Sequence, residues 1–234
     1  MSRIVFIGDS IVKGTDYGGV TSSQCFAAKI GAAAGYVSTD VVNAGVSGNT
    51  SADILARLQS DVIAQTPAVC AILIGINDWS KGVIPAQYQA NLNSILDILD
   101  QNGIKPVLMS SNLQRGQTAD IANFLPYLKV VDAISSGRRV SYIDLYREVC
   151  AAYLYLDGPT WTGLYADGVV HLSVAGHQFV ADLAARPRYA GFFKAASNPS
   201  PDDVRNLTVA LADYVINGVN GATVQNVISS RSKF

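Results

Sequence analysis

The chain is short of the residues that most often announce a function. It holds three cysteines, Cys25, Cys70 and Cys150, and two histidines, His171 and His177, in 234 residues. Cysteines so few and so far apart build neither a disulfide framework nor a zinc site, and they read as small buried hydrophobes. Two histidines in one short segment leave almost no imidazole for holding a metal. There is no run of Lys or Arg and no basic helix, and 17 basic against 18 acidic side chains give a formal charge of −1. That balance excludes a nucleic-acid surface. No apolar stretch reaches the roughly 18 residues needed to span a membrane. Nor do the residues before Arg3 hold the basic region, apolar core and cleavage site of a secretory signal. The expectation is a soluble domain made without its own export signal, either cytoplasmic or part of a larger surface or viral assembly. No internal repeat is present.

What the chain does have is a series of short apolar runs that end in glycine turns. After Arg3, the four apolar residues Ile4-Val5-Phe6-Ile7, rich in β-branching, lead straight into Gly8-Asp9-Ser10, the pattern of a buried strand with a hydroxyl on the turn that follows. Further strands are expected at 37–44, 69–74, 105–110 and 139–143. Helices are expected at 25–34, 51–65, 85–102, 119–135, 145–156 and 173–185. Thr50 and Asp53 form a capping pair for the second of these helices, and Pro126 should kink or split the fourth. Strands alternating with helices specify a parallel sheet covered by helices on both faces. From Pro187 the texture changes to breaker-rich sequence around Tyr189, Phe192 and Phe193, then a helix over 202–216 and a strand-like piece after Gly221. We therefore divide the chain into an α/β domain over 1–186 and an extension over 187–234. The extension would wrap the domain, mediate self-association as a homo-oligomer, or begin another module.

In an open parallel sheet the carboxyl ends of the strands border the ligand crevice. Ser10, Gly48 with Asn49, and Asn77 with Asp78 stand in the loops after the first three strands, so they can meet there. Backbone N–H groups of Ser10 and Gly48 and the neutral amide of Asn77 suit an oxygen that becomes negative in acyl transfer. A base for Ser10 must be His171 or His177. The loop position of His171 favours it, because His177 falls in a helix where its direction is fixed, more often outward. Asp167 can orient the imidazole, with Asp157 a weaker competitor.

These blocks together, Gly8-Asp9-Ser10, Asn43-Ala44-Gly45-Val46-Ser47-Gly48-Asn49-Thr50, Gly75-Ile76-Asn77-Asp78 and Asp167 to His171-Leu172-Ser173-Val174-Ala175-Gly176, resemble the SGNH (GDSL-type) serine hydrolases from residue 3 to about residue 185. The resemblance implies a flavodoxin-like three-layer α/β/α sandwich on a five-stranded parallel sheet. It makes Ser10 the nucleophile, His171 the base, and Ser10, Gly48 and Asn77 the oxyanion hole. One block departs from the family: its usual Asp-x-x-His spacing would place the acid at Gly168. Asp167 is one residue further from His171, so a dyad without an acid or a different aspartate stays open beside it. No metal or organic cofactor is implied.

Trp79, Trp161 and Tyr165 are candidate substrate-binding aromatics, since aromatic rims suit the C–H faces of sugar rings. They equally suit a role in covering the edge of the core. The expected substrate is a short-chain acyl ester, foremost an O-acetyl group on a carbohydrate. The alternatives are a lipase, lysophospholipase or thioesterase of the same family, or a glycan-binding module.

Overall fold

The structure, a computed structural model, describes residues 2–112, 121–155 and 162–195. Five strands, β1 (Arg3–Gly8), β2 (Val41–Gly45), β3 (Pro67–Leu73), β4 (Lys105–Met109) and β5 (Ser141–Ile143), form one sheet. Its order is β2-β1-β3-β4-β5, every pairing is parallel, and the pattern is the flavodoxin-like one. Ile4, Val5, Phe6 and Ile7 are all buried, as a strand covered on both faces requires.

The helices are α1 (Ser10–Lys13), α2 (Phe26–Ala33), α3 (Ser51–Asp61), α4 (Ile76–Ser80), α5 (Pro85–Gln101), α6 (Ile121–Arg138), α7 (Leu145–Tyr155), α8 (Val174–Ala184) and α9 (Pro187–Ala190). They complete a three-layer α/β/α sandwich. Helix α2 packs on α8, while α3, α5 and α6 pack in series. Phe6 meets the edge of Phe26 at 6.2 Å and stacks on Phe193 at 6.1 Å, so α2 and the segment after α9 share one patch of the sheet. Tyr189 and Phe193 lie in the core. None of the helices among the described residues is long and apolar enough to cross a membrane.

Several boundaries differ from the periodicity. The second strand starts at Val41 rather than 37, because Ser38–Asp40 form a 3-10 turn closed by Asp40 N–H on Val37 O at 2.9 Å. Helix α3 ends at Asp61, short of 65; a 3-10 turn follows and Thr66 takes a left-handed φ of 48°. Asn77 and Asp78 stand on the short helix α4 rather than in an open loop. Pro126 does not split α6, whose residues Phe124, Tyr127, Leu128, Val131 and Ile134 are buried at helical spacing. Their burial outweighs the roughly 3 kcal/mol that an interior proline costs. The 202–216 helix, the strand after Gly221 and any self-association through that segment lie outside the described residues.

Candidate active site

Ser10 is the first residue of α1, where β1 turns out of the sheet. Asp9 caps that turn, its Oδ1 accepting Ile11 N–H at 2.9 Å. The turn is this tight because Gly8 has no Cβ. One there would lie 2.2 Å from Leu73 O and 2.4 Å from Val12 Cγ2. Burial pushes the Asp9 carboxyl up to about 7 against the pull of the Ile11 N–H, with the charge of Asp78 adding to the rise.

Ser10 Oγ lies 2.8 Å from His171 Nε2, and His171 Nδ1 lies 2.5 Å from Asp167 Oδ2. With Nδ1 facing a carboxylate, the ring proton sits on Nδ1 and Nε2 is free to accept from the serine hydroxyl. The other oxygen, Asp167 Oδ1, accepts the backbone N–H groups of Val169, Val170 and His171 at 2.8, 3.0 and 3.2 Å. Gly168 takes φ 72°, which lets the loop curl around the carboxylate. Burial pulls this carboxyl upward, but the bond to His171 and the three N–H groups outweigh it and hold Asp167 below the usual carboxylate range.

The loop carrying His171 is closed at its base. Tyr165 bridges Leu172, Ala166 N–H meets His171 O at 2.8 Å, and Ser173 N–H meets Leu164 O at 2.9 Å. Asn112, past the end of β4, donates to Val170 O at 2.9 Å. This support had no signal in the sequence beyond a polar residue after a buried strand.

The loops after β2 and β3 are tied to each other and to β1. Asn77 Nδ2 donates to Asn49 O at 3.0 Å and Lys81 Nζ to Gly48 O at 2.5 Å. Arg57 bonds Asn49 Oδ1 at 2.7 Å and Gly8 O at 3.0 Å, while Val46 N–H also donates to Gly8 O. Asp78, fully buried, accepts from Ser51 N–H and from Ser51 Oγ at 2.6 Å, and so anchors α4 to the first turn of α3. Burial raises its carboxyl, partly offset by the Ser51 donors. Gly48 takes φ 79°, and its N–H meets no acceptor among the described residues. Asn77 keeps a second amide hydrogen, and Ser10 N–H lies in a helix's first turn, where no helical acceptor exists. Three donors thus remain for an oxygen from outside.

The other candidates fall differently. Tyr165 is buried, 6 % exposed, in the core at the base of the His171 loop. Trp79 is partly buried, edge-on to Phe124 at 5.8 Å. Trp161 and Asp157 lie outside the described residues. His177, expected to point outward, is instead buried between α8 and α2. Its Nδ1 accepts Phe26 N–H at 3.2 Å, supplying the cap that Cys25 does not give α2, and its ring stacks on Phe26 at 5.5 Å. Helix packing, invisible to a single helix's periodicity, decides that direction. A residue absent from the sequence reading is Tyr17, whose ring lies parallel to His171 with centroids 3.5 Å apart.

Residues 6–179 match the family model of the GDSL-like lipase/acylhydrolase family. An acetylxylan esterase of Geobacillus stearothermophilus is 33% identical over 158 residues, which cover 60% of this chain and 68% of that protein. Esterase TesA of Pseudomonas aeruginosa is 42% identical over 73 residues, 31% of this chain and 36% of TesA. The crystal structure of an acetylxylan esterase from G. stearothermophilus superimposes with a TM-score of 0.65 at 27% identity, covering 84% of this chain and 97% of that one.

Proposed function

The chain belongs to the GDSL-like lipase/acylhydrolase family and is a carboxylic ester hydrolase, and from that premise we propose that it removes short acyl groups, acetyl foremost, from a carbohydrate. The observation that carries the proposed chemistry is the unbroken line Ser10 Oγ, His171, Asp167, with contacts of 2.8 and 2.5 Å. His171 Nε2 takes the Ser10 proton as Oγ attacks the ester carbonyl. The negative oxygen rests on Ser10 N–H, Gly48 N–H and the Asn77 amide. Collapse expels the sugar alcohol, which receives the proton from His171 and leaves an acyl group on Ser10. Water, deprotonated by the same imidazole, then attacks the acyl group, and the acid leaves as Ser10 Oγ takes that proton back from His171. Asp167 holds the tautomer and balances the imidazolium charge.

Support for an acetylated sugar comes from the likeness to the acetylxylan esterase over most of both chains. A specific observation favours a second reading, an esterase of longer acyl chains. Val46 and Val169, on the two loops that flank the serine, are 43 and 37 % exposed and offer apolar surface. Acetate release from acetylated xylo-oligosaccharides, compared with hydrolysis of nitrophenyl esters of two to twelve carbons, separates them. Our reading expects the acetylated sugar and the two-carbon ester to be the best substrates. Rates that climb with chain length would transfer the enzyme to the second reading.

A further inference from the structure

The connection that follows α1 folds back over the site. Gly14 turns it with φ 73°, packed so closely that a Cβ would lie 2.7 Å from both Cys25 Sγ and His177 Cε1. Asp16 is then held from two sides, by Lys13 Nζ at 2.6 Å and by the hydroxyl of Ser47, next to Gly48. Gly18, φ 62°, sits so close to Ala166 that a Cβ would lie 2.7 Å from the alanine methyl, one residue from Asp167. Val20 anchors the far end in the core. The segment is therefore fixed to the loop of Gly48 and to the loop of Asp167 at once, and between those two fixings it lays Tyr17 on His171.

The geometry of that contact is specific. The rings lie 14° from parallel with centroids 3.5 Å apart, which is close to face-on overlap. Two neutral aromatic rings avoid such a sandwich, because their quadrupoles repel and they prefer offset or edge-on arrangements with centroids 4.5 Å or more apart. A cation over the face of a tyrosine is attracted instead. The contact thus favours the imidazolium, the form His171 takes as it carries the Ser10 proton. It also blocks rotation of the imidazole away from Asp167. Tyr17 is 37 % exposed, and what it presents to His171 is the face of its ring. We propose that Tyr17 is the positioning residue of this esterase, clamping the His171 ring and stabilising its charged form during acyl transfer. The proposal rests on His171 being the base, as set out above.

Tyr17→Phe, Tyr17→Leu and Tyr17→Gln in the full chain test it. The readouts are kcat and KM on nitrophenyl acetate and the rate of covalent labelling by a fluorophosphonate, which needs the activated serine but not the acyl fit. Tyr17→Phe should stay within about twofold of the parent protein. Tyr17→Leu should lose about tenfold in kcat, equal to about 1.4 kcal/mol, with KM within twofold and labelling slowed in proportion. Tyr17→Gln repeats the loss should the leucine variant melt early. Parent-like kcat and labelling in both non-aromatic variants, or a change in KM alone, overturns the proposal. Ser10→Ala and His171→Ala run alongside. If they still label and hydrolyse, the assignment of the base fails; if they are dead while Tyr17→Leu is fully active, only the role of Tyr17 fails.

Discussion

Asp167 and His171 are four residues apart, yet Asp167 Oδ2 reaches His171 Nδ1 at 2.5 Å while Oδ1 gathers the N–H groups of Val169, Val170 and His171 itself. The residue that lengthens the family's usual spacing is taken up by a loop curled around the carboxylate, with Gly168 in the left-handed region. Asp167→Asn keeps an acceptor for the three N–H groups but removes the charge that fixes the tautomer. By analogy with the same change in other serine triads, kcat on nitrophenyl acetate should fall by about 10³–10⁴, with little change in melting temperature. A loss below tenfold would move the acid role to another carboxylate.

The loops of Gly48 and Asn77 differ in what a substitution does. Asn77→Ala removes one proposed oxyanion donor and its bond to Asn49 O. Steady-state kinetics should give a drop of about 10²–10³ in kcat and a small change in KM. Gly48→Ala adds strain at φ 79°, so it should lower both kcat and melting temperature. Full kcat in Asn77→Ala contradicts the donor role.

His177 predicts an acid-labile fold. Burial first, with the charge of Lys29 adding to it, pushes its imidazole down from 6.5 to about 4, against a smaller upward pull from the nearby Gly14 backbone. Between those values the unfolded chain binds more protons than the folded one, so stability is full above about pH 6.5 and falls as pH drops toward 4. The whole effect amounts to about 3 kcal/mol. His177→Gln, which offers an acceptor to Phe26 N–H without titrating, should flatten this slope in urea melts run from pH 4 to 8. An unchanged slope would mean that the imidazole is solvated.

Gly45 joins fold and site. A Cβ there would lie 2.1 Å from Lys13 N and 2.6 Å from Lys13 Cα, a clash with backbone that no rotamer relieves. Gly45→Ala should cost about 3 kcal/mol or more, measured by denaturant unfolding, and parent-like stability would mean that α1 can shift from β2.

The sheet was legible because a parallel strand buried on both faces is an uninterrupted apolar run, as in Ile4–Ile7 and Val69–Ile74. Ser10, Gly48, Asn77 and His171 stood out for a related reason, since each follows such a run or sits in the last loop. What could not be read depended on partners distant in the chain. The inward direction of His177 needs α2 against α8, and the survival of Pro126 in α6 needs the apolar face that α6 shares with α5. Tyr17 carried only a local signal, an aromatic between Asp16 and Gly18-Gly19 in an aperiodic connection. Its place over His171 exists only once the loops of Ser47 and Ala166 have come together. The three N–H groups on Asp167 likewise arise from loop closure and not from spacing.

Intact-mass and peptide mapping after exposure to a fluorophosphonate test the central claim most directly. One adduct per chain, on Ser10, with none in Ser10→Ala and a rate lowered by at least about 10³ in His171→Ala, is the result expected of a serine that His171 activates. An adduct on another residue, or labelling of Ser10 that is indifferent to His171, would contradict it.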